Sequence, residues 1–302
     1  MAFTLQNLIN SPYSIRLISV IGQVLPLRLG HALADIIADL ITSRRDAPIV
    51  RAVRLNQWVA RGEMLDKESL DQAVRQTFRN TARSLYNLYH YVNNPRLAER
   101  LVVFDPTFEQ IAARLEFNER GLMAVGLHLS NFDLVMQWLC RQKFKPLALT
   151  IPNPQGGGRL EFEMRKKTGM NLLPASVSAY RLAVRHLQKG GLVVTGIDRP
   201  IPDPPYHPLF FGRPSALPMH HIVLASKARV PVVIVVTSLL PDGKYHLMTS
   251  ELIEMESHPN RDTETQQNAE KVLYIAERFI RQAPQQWSVS LPVWPQVLDL
   301  VP

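Results

Sequence analysis

Four short apolar runs punctuate the second half of the chain: "LMAVGL" (122–127), "PLALTI" (146–151), "LVVTGI" (192–197) and "VPVVIVVTSLL" (230–240). Runs this short, rich in Val, Ile and Leu and nearly free of polar residues, predict strands buried on both faces. "NFDLVMQWLCRQ", "RLEFEMRKKTG" and "VSAYRLAVRHLQKG" follow the first three strands in turn with helical spacing. Strand and helix alternating in this way predict an α/β fold, a largely parallel central sheet flanked by helices. Sites in such sheets form beyond the carboxyl ends of the strands. Residues 200–218 hold seven prolines in nineteen positions, a stiff irregular excursion. A helix over roughly 263–282 and the tail "APQQWSVSLPVWP" follow the last strand.

The first hundred residues read differently. Residues 14–42 are strongly apolar but broken by Arg16, Arg28, Asp35 and Asp39, and the longest uncharged run, Leu17 to Leu27, has 11 residues. Spanning a bilayer takes about 20. The segment therefore predicts a pair of helices around Pro26, buried in a core or lying in a membrane interface. Residues 44–61 are basic and interrupted by Trp58. A long helix is expected over 66–93, with Val74, Phe78, Ala82, Leu85, Leu88 and Val92 on its apolar stripe. Arg75, Arg79 and Arg83 form a basic stripe beside it, for solvent or for an anionic lipid surface. The expected division is a helical region, 1–100, packed on an α/β core, 101–302.

Charge sharpens this picture. The net charge is +8, with 26 basic against 16 acidic side chains in residues 1–200 and 8 against 10 afterwards. Such a field suits nucleic acid, anionic lipid or an acidic partner. No nucleic-acid-binding motif appears and aromatics do not interleave with the basic runs, so nucleic acid is not an expected partner. The lone Cys140, on an apolar helix, reads as a small buried hydrophobe.

Chemistry concentrates in "GLHLSNFD", where His128 ends an apolar strand and Asp133 follows five residues later. Ser130 or Asn131 can cap the next helix, placing Asp133 in its first turn. The reversal can then fold the carboxylate beside the imidazole, giving a base held in one tautomer by an acid. A capping box with a structural histidine is the alternative. His207, His220, His221 and Asp203 match no zinc spacing, so no metal is expected, although a metal-dependent hydrolase is the more remote alternative.

The H-x4-D motif resembles that of the glycerolipid acyltransferase superfamily. The fuller layout is similar to its late lipid A acyltransferase branch, which includes phosphatidylinositol mannoside acyltransferases. The resemblance runs through "LPLRLGHALADIIADL" (25–40), "VRLNQWV" (53–59), "IPNP" (151–154), "RKKTGMNLLP" (165–174), "GIDRP" (196–200), "FFGRPSALP" (210–218), "ARVPVVIVV" (228–236) and "APQQW" (283–287). It implies a fatty acyl transfer from a thioester, on acyl carrier protein or coenzyme A, to a hydroxyl of a membrane glycolipid or phospholipid, without a cofactor. It implies His128 as general base, Asp133 as its orienting partner, Arg165 near the oxyanion and Asp198 lining the site. Substrate contacts are implied at Ser130, Asn131, Asn153, Arg199 and Arg213. Membrane-associating N-terminal helices, meeting an anionic surface at the cytoplasmic face of the cell membrane, are implied as well. The chain lacks the F-P-E-G-T-R-like motif of the glycerol-3-phosphate branch and carries a glycine triplet at 156–158 where relatives have an apolar stretch. A lipid-binding protein on the same scaffold, without catalysis, is the other reading.

Overall fold

The computed structural model describes residues 12–91, 95–116, 120–141, 145–152 and 157–302. Val92 and Asn153 lie outside the described residues. Among the described residues, four helices lead into the fold: α1 (Pro12–Val24), α2 (Leu27–Thr42), α3 (Pro48–Ala60) and α4 (Lys67–Tyr91). Pro26 separates α1 from α2, since its ring fixes φ and removes the amide a continuous helix needs. Then follow α5 (Pro95–Arg100), β1 (Val102–Phe104), α6 (Pro106–Glu116), β2 (Leu122–Gly126), α7 (Phe132–Arg141), β3 (Leu147–Thr150), α8 (Gly157–Lys167) and β4 (Asn171–Pro174). The chain continues through α9 (Val177–Gln188), β5 (Leu192–Gly196), the small hairpin β6 (Leu209–Phe210) and β7 (Arg213–Pro214), and α10 (His220–Ala228). It closes with β8 (Val232–Leu239), β9 (Tyr245–Thr249) and α11 (Arg261–Gln282).

Among the described residues, seven strands form one sheet in the order β1-β9-β8-β2-β5-β3-β4, parallel except for the β8–β9 pair. The hairpin β6–β7 sits inside the proline-rich excursion. β2 lies at the centre, and its side chains alternate between two layers. Met123, Val125 and Leu127 join a core built with α3, α9, α10, α11 and the first half of α4. Leu122 and Ala124 face the opposite layer. On that side α7 packs with Leu88 and Tyr91 of α4 and with Tyr245 and Leu247 of β9. Cys140 is buried there, and burial pushes its thiol up to about 11.

The basic stripe on α4 has a different use from either one expected. Arg75 and Arg79 both clasp Asp39, and Arg83 clasps Asp35, each with paired hydrogen bonds of 2.5–2.8 Å. These guanidinium groups hold Asp39 well below the usual carboxylate range. The stripe thus docks α2 on α4, and two of the four charges that break the apolar N-terminal segment, Asp35 and Asp39, are its counter-ions. Among the described residues no helix is long and apolar enough to cross a membrane.

Candidate active site

The register of two central strands builds the site. β2 and β5 pair in parallel with Gly126 opposite Gly196. Two residues beyond each glycine stand His128 and Asp198, so the shared register delivers both side chains to the same end of the sheet. His128 Nδ1 lies 2.6 Å from Asp198 Oδ1, and the His128 amide donates to Asp198 Oδ2 at 2.8 Å. The Trp287 indole N–H donates to the same Oδ2 at 2.8 Å. Asp198 is fully buried. Burial alone would raise its carboxyl, but the imidazole and these donors hold it below the usual range. An ionised carboxylate only accepts, so Nδ1 carries a proton, and in the neutral ring the lone pair falls to Nε2. Nε2 has no protein partner among the described residues, and a quarter of the His128 side chain is exposed. Gly196 leaves the ring its room: a Cβ there would stand 3.3 Å from His128 Cε1.

The partner of His128 is therefore Asp198, and Asp133 is not it. Ser130 takes a left-handed turn (φ 45°) and the Asn131 Oδ1 caps α7, which puts Asp133 in the first turn as expected. There it is gripped by Arg165, whose Nε and Nη2 donate at 2.7–3.1 Å, and by Gln137 at 3.1 Å. Burial would raise Asp133, yet Arg165, Gln137 and more weakly His128 hold it low. A buried carboxylate favours the planar fork of an arginine over one ring nitrogen, because two parallel charge-assisted bonds satisfy both oxygens. Arg165 stays protonated against burial through Asp133 and Glu161, and its Nη1 has no partner among the described residues. Burial, with the Asp133 charge, pushes Glu161 up. The Tyr89 phenol, buried and without a hydrogen-bond partner among the described residues, is pushed up by burial and by Glu161 and Asp133.

The other expected substrate contacts divide. Arg199 is exposed, and its charge is felt by Glu161. The Ser130 hydroxyl is buried and has no partner among the described residues. Asn131 is not free for substrate: its amide donates to the Ser84 carbonyl at 2.9 Å and Tyr245 Oη at 3.2 Å while its oxygen caps the helix. Arg213 is likewise committed, to Glu63 in the turn after α3, so it fastens the β6–β7 hairpin to the N-terminal helices. His220 bonds Thr195 at 3.1 Å and stacks on Tyr180, and His221 is buried with neither ring nitrogen partnered among the described residues. Among the described residues no three His, Cys, Asp or Glu side chains converge as a metal site would require. Trp287 and Glu161 were not anticipated. The sequence did carry a signal for the Asp198 pairing, since "VGLH" and "TGID" place His and Asp at one offset from two strand-end glycines.

The paired His128 and Asp198 thus stand at the end of the two central strands, beside the buried Asp133–Arg165 pair. No curated protein matches the chain. The profile of the bacterial lipid A biosynthesis acyltransferases matches residues 14–295, nearly the whole sequence, and the chain belongs to that family of acyltransferases.

Proposed function

We propose that the protein moves a fatty acyl group from a thioester to a hydroxyl of a lipid A-like glycolipid, with His128 as general base steered by Asp198. The observation that carries the reading is the 2.6 Å contact between His128 Nδ1 and Asp198, which leaves Nε2 as the free base. Nε2 takes the hydroxyl proton as the oxygen attacks the thioester carbonyl. The new C–O bond forms and the C–S bond breaks, and the departing thiolate recovers the proton from the imidazolium. Positioned base catalysis contributes about 10²–10⁴-fold. Arg165 Nη1 and the amides at the start of α7 are the groups offered to the developing oxyanion. No acyl-enzyme is needed. The thioester carrier is acyl carrier protein or coenzyme A, and the basic first two thirds of the chain suit either.

The acceptor meets the site at a bilayer. Tyr13, Leu17, Val20 and Val24 form one ridge of α1, and Leu29, Ile36 and Leu40 one of α2, each residue more than half exposed. Arg16, Arg28, Arg44 and Arg45 are exposed around them. Exposed apolar ridges with a basic rim suit an interfacial helix pair on an anionic leaflet. α1 packs on α4 and touches α8, which carries Arg165. That contact brings the ridge to the flank of the site. Mass spectrometry of membrane lipids tests the function. A gene deletion loses a species heavier by one acyl chain, wild type restores it, and His128→Ala does not. Restoration by His128→Ala overturns the reading.

A further inference from the structure

The tail after α11 returns to the site as a strap. Gln286 O accepts from the Ser130 amide at 2.9 Å, and the Ser288 amide and hydroxyl both donate to the His128 carbonyl, at 2.9 and 3.0 Å. Leu129 and Trp287 thus form an antiparallel bridge alongside the histidine. The strap is itself pinned from the other side. Asn56 donates to the carbonyls of Val289 and Leu291 and accepts from Val293, Gln57 donates to Pro284, and Asn80 to Gln285. Gln286 closes a reciprocal pair with Leu239 at the end of β8. Three elements therefore converge on residues 284–293: the N-terminal helices, β8 and the loop that bears His128.

Within this strap Trp287 does more than fill space. It is almost wholly buried among Phe210, Phe211 and Trp294, packing that phenylalanine could supply. Its N–H, however, is aimed at Asp198 Oδ2, the same oxygen that accepts from the His128 amide. With Oδ2 held by two donors, the carboxylate plane is fixed and Oδ1 is presented to Nδ1. We propose that Trp287 is a positioning residue for acyl transfer, setting the orientation and basicity of Asp198 and through it the imidazole. The inference rests on the reading of His128 as the base.

The test replaces Trp287 by phenylalanine and, by codon reassignment, by β-benzothienylalanine, which keeps the ring shape and lacks the N–H. A carboxylate that has lost a donor is more basic, so the His128–Asp198 pair holds its extra proton to higher pH. The isostere is expected to lower kcat about 10–100-fold, with KM for both substrates within about twofold. The acidic limb of its kcat–pH profile moves up by about half a unit, and the protein still melts cooperatively, at a lower temperature because a buried carboxylate has lost one donor. The downfield proton resonance of the His128 Nδ1–H, recorded without substrate, shifts in both variants. A superimposable kcat–pH profile and an unmoved resonance for the isostere overturn the proposal, as does a loss confined to KM. The resonance reads the contact even if His128→Ala proves active, so failure here is distinct from failure of the acyl-transfer reading.

Discussion

At the scale of single residues, two carboxylates near one histidine have separate tasks. Asp198 meets the ring, and Asp133 meets Arg165. The H-x4-D spacing alone could not tell them apart, because both acids follow the carboxyl end of a central strand, Asp198 in the loop after β5 and Asp133 in the first turn of α7, and Asp133 is nearer in sequence. Electrostatics decides: a buried carboxylate beside a buried guanidinium takes the bidentate partner first. Removing one member of such a pair leaves the other charge buried and costs about 3–5 kcal/mol. Asp133→Asn is therefore expected to melt at lower temperature and lose activity. Asp133→Leu combined with Arg165→Met should regain most of the stability by chemical denaturation and none of the activity, since the Arg165 donor is gone. If the double variant is no more stable than Asp133→Asn, the two side chains are not a paired unit.

At the scale of elements, the long periodic segments were legible and the short ones were not. β2, β3, β5 and β8 follow from apolar runs, and α4 and α11 from helical spacing. β1, β4 and β9 went unanticipated, because three to five residues with alternating or partial burial give little pattern to read. The roles of Arg75, Arg79 and Arg83 were hidden for another reason: their counter-ions lie 36–48 positions away in sequence, on α2. With Asp35 and Asp39 turned inward to that ladder, the apolar ridges of α1 and α2 are left facing outward. Flotation with anionic liposomes tests what they do. Leu17→Glu with Ile36→Glu, both at exposed positions, should fold normally and lose most binding. A doubly substituted protein that floats like wild type contradicts the membrane reading.

At the scale of the whole molecule, one feature couples stability to acidity. His220 and His221 are kept neutral by burial, with His220 lowered to about 4 and His221 well below its ordinary value. The unfolded chain binds protons on both below about pH 6.5, while the folded chain does not. Stability is thus complete above that pH and falls as pH drops towards 4. His221→Leu removes a buried ring whose nitrogens have no partner among the described residues, so it should raise the melting temperature more at pH 5 than at pH 8. An equal effect at both pH values would mean that His221 is not the titrating group.

The central claim is that Asp198, two residues past the glycine opposite Gly126, steers the base. Its most direct measurement is kcat for Asp198→Asn in purified protein, supplied with an acyl thioester and a glycolipid acceptor, alongside its melting curve. The amide keeps the shape but cannot hold Nδ1 protonated, so kcat should fall by about 10²–10⁴-fold while the protein stays folded. A folded Asp198→Asn protein turning over within about tenfold of wild type would contradict the account.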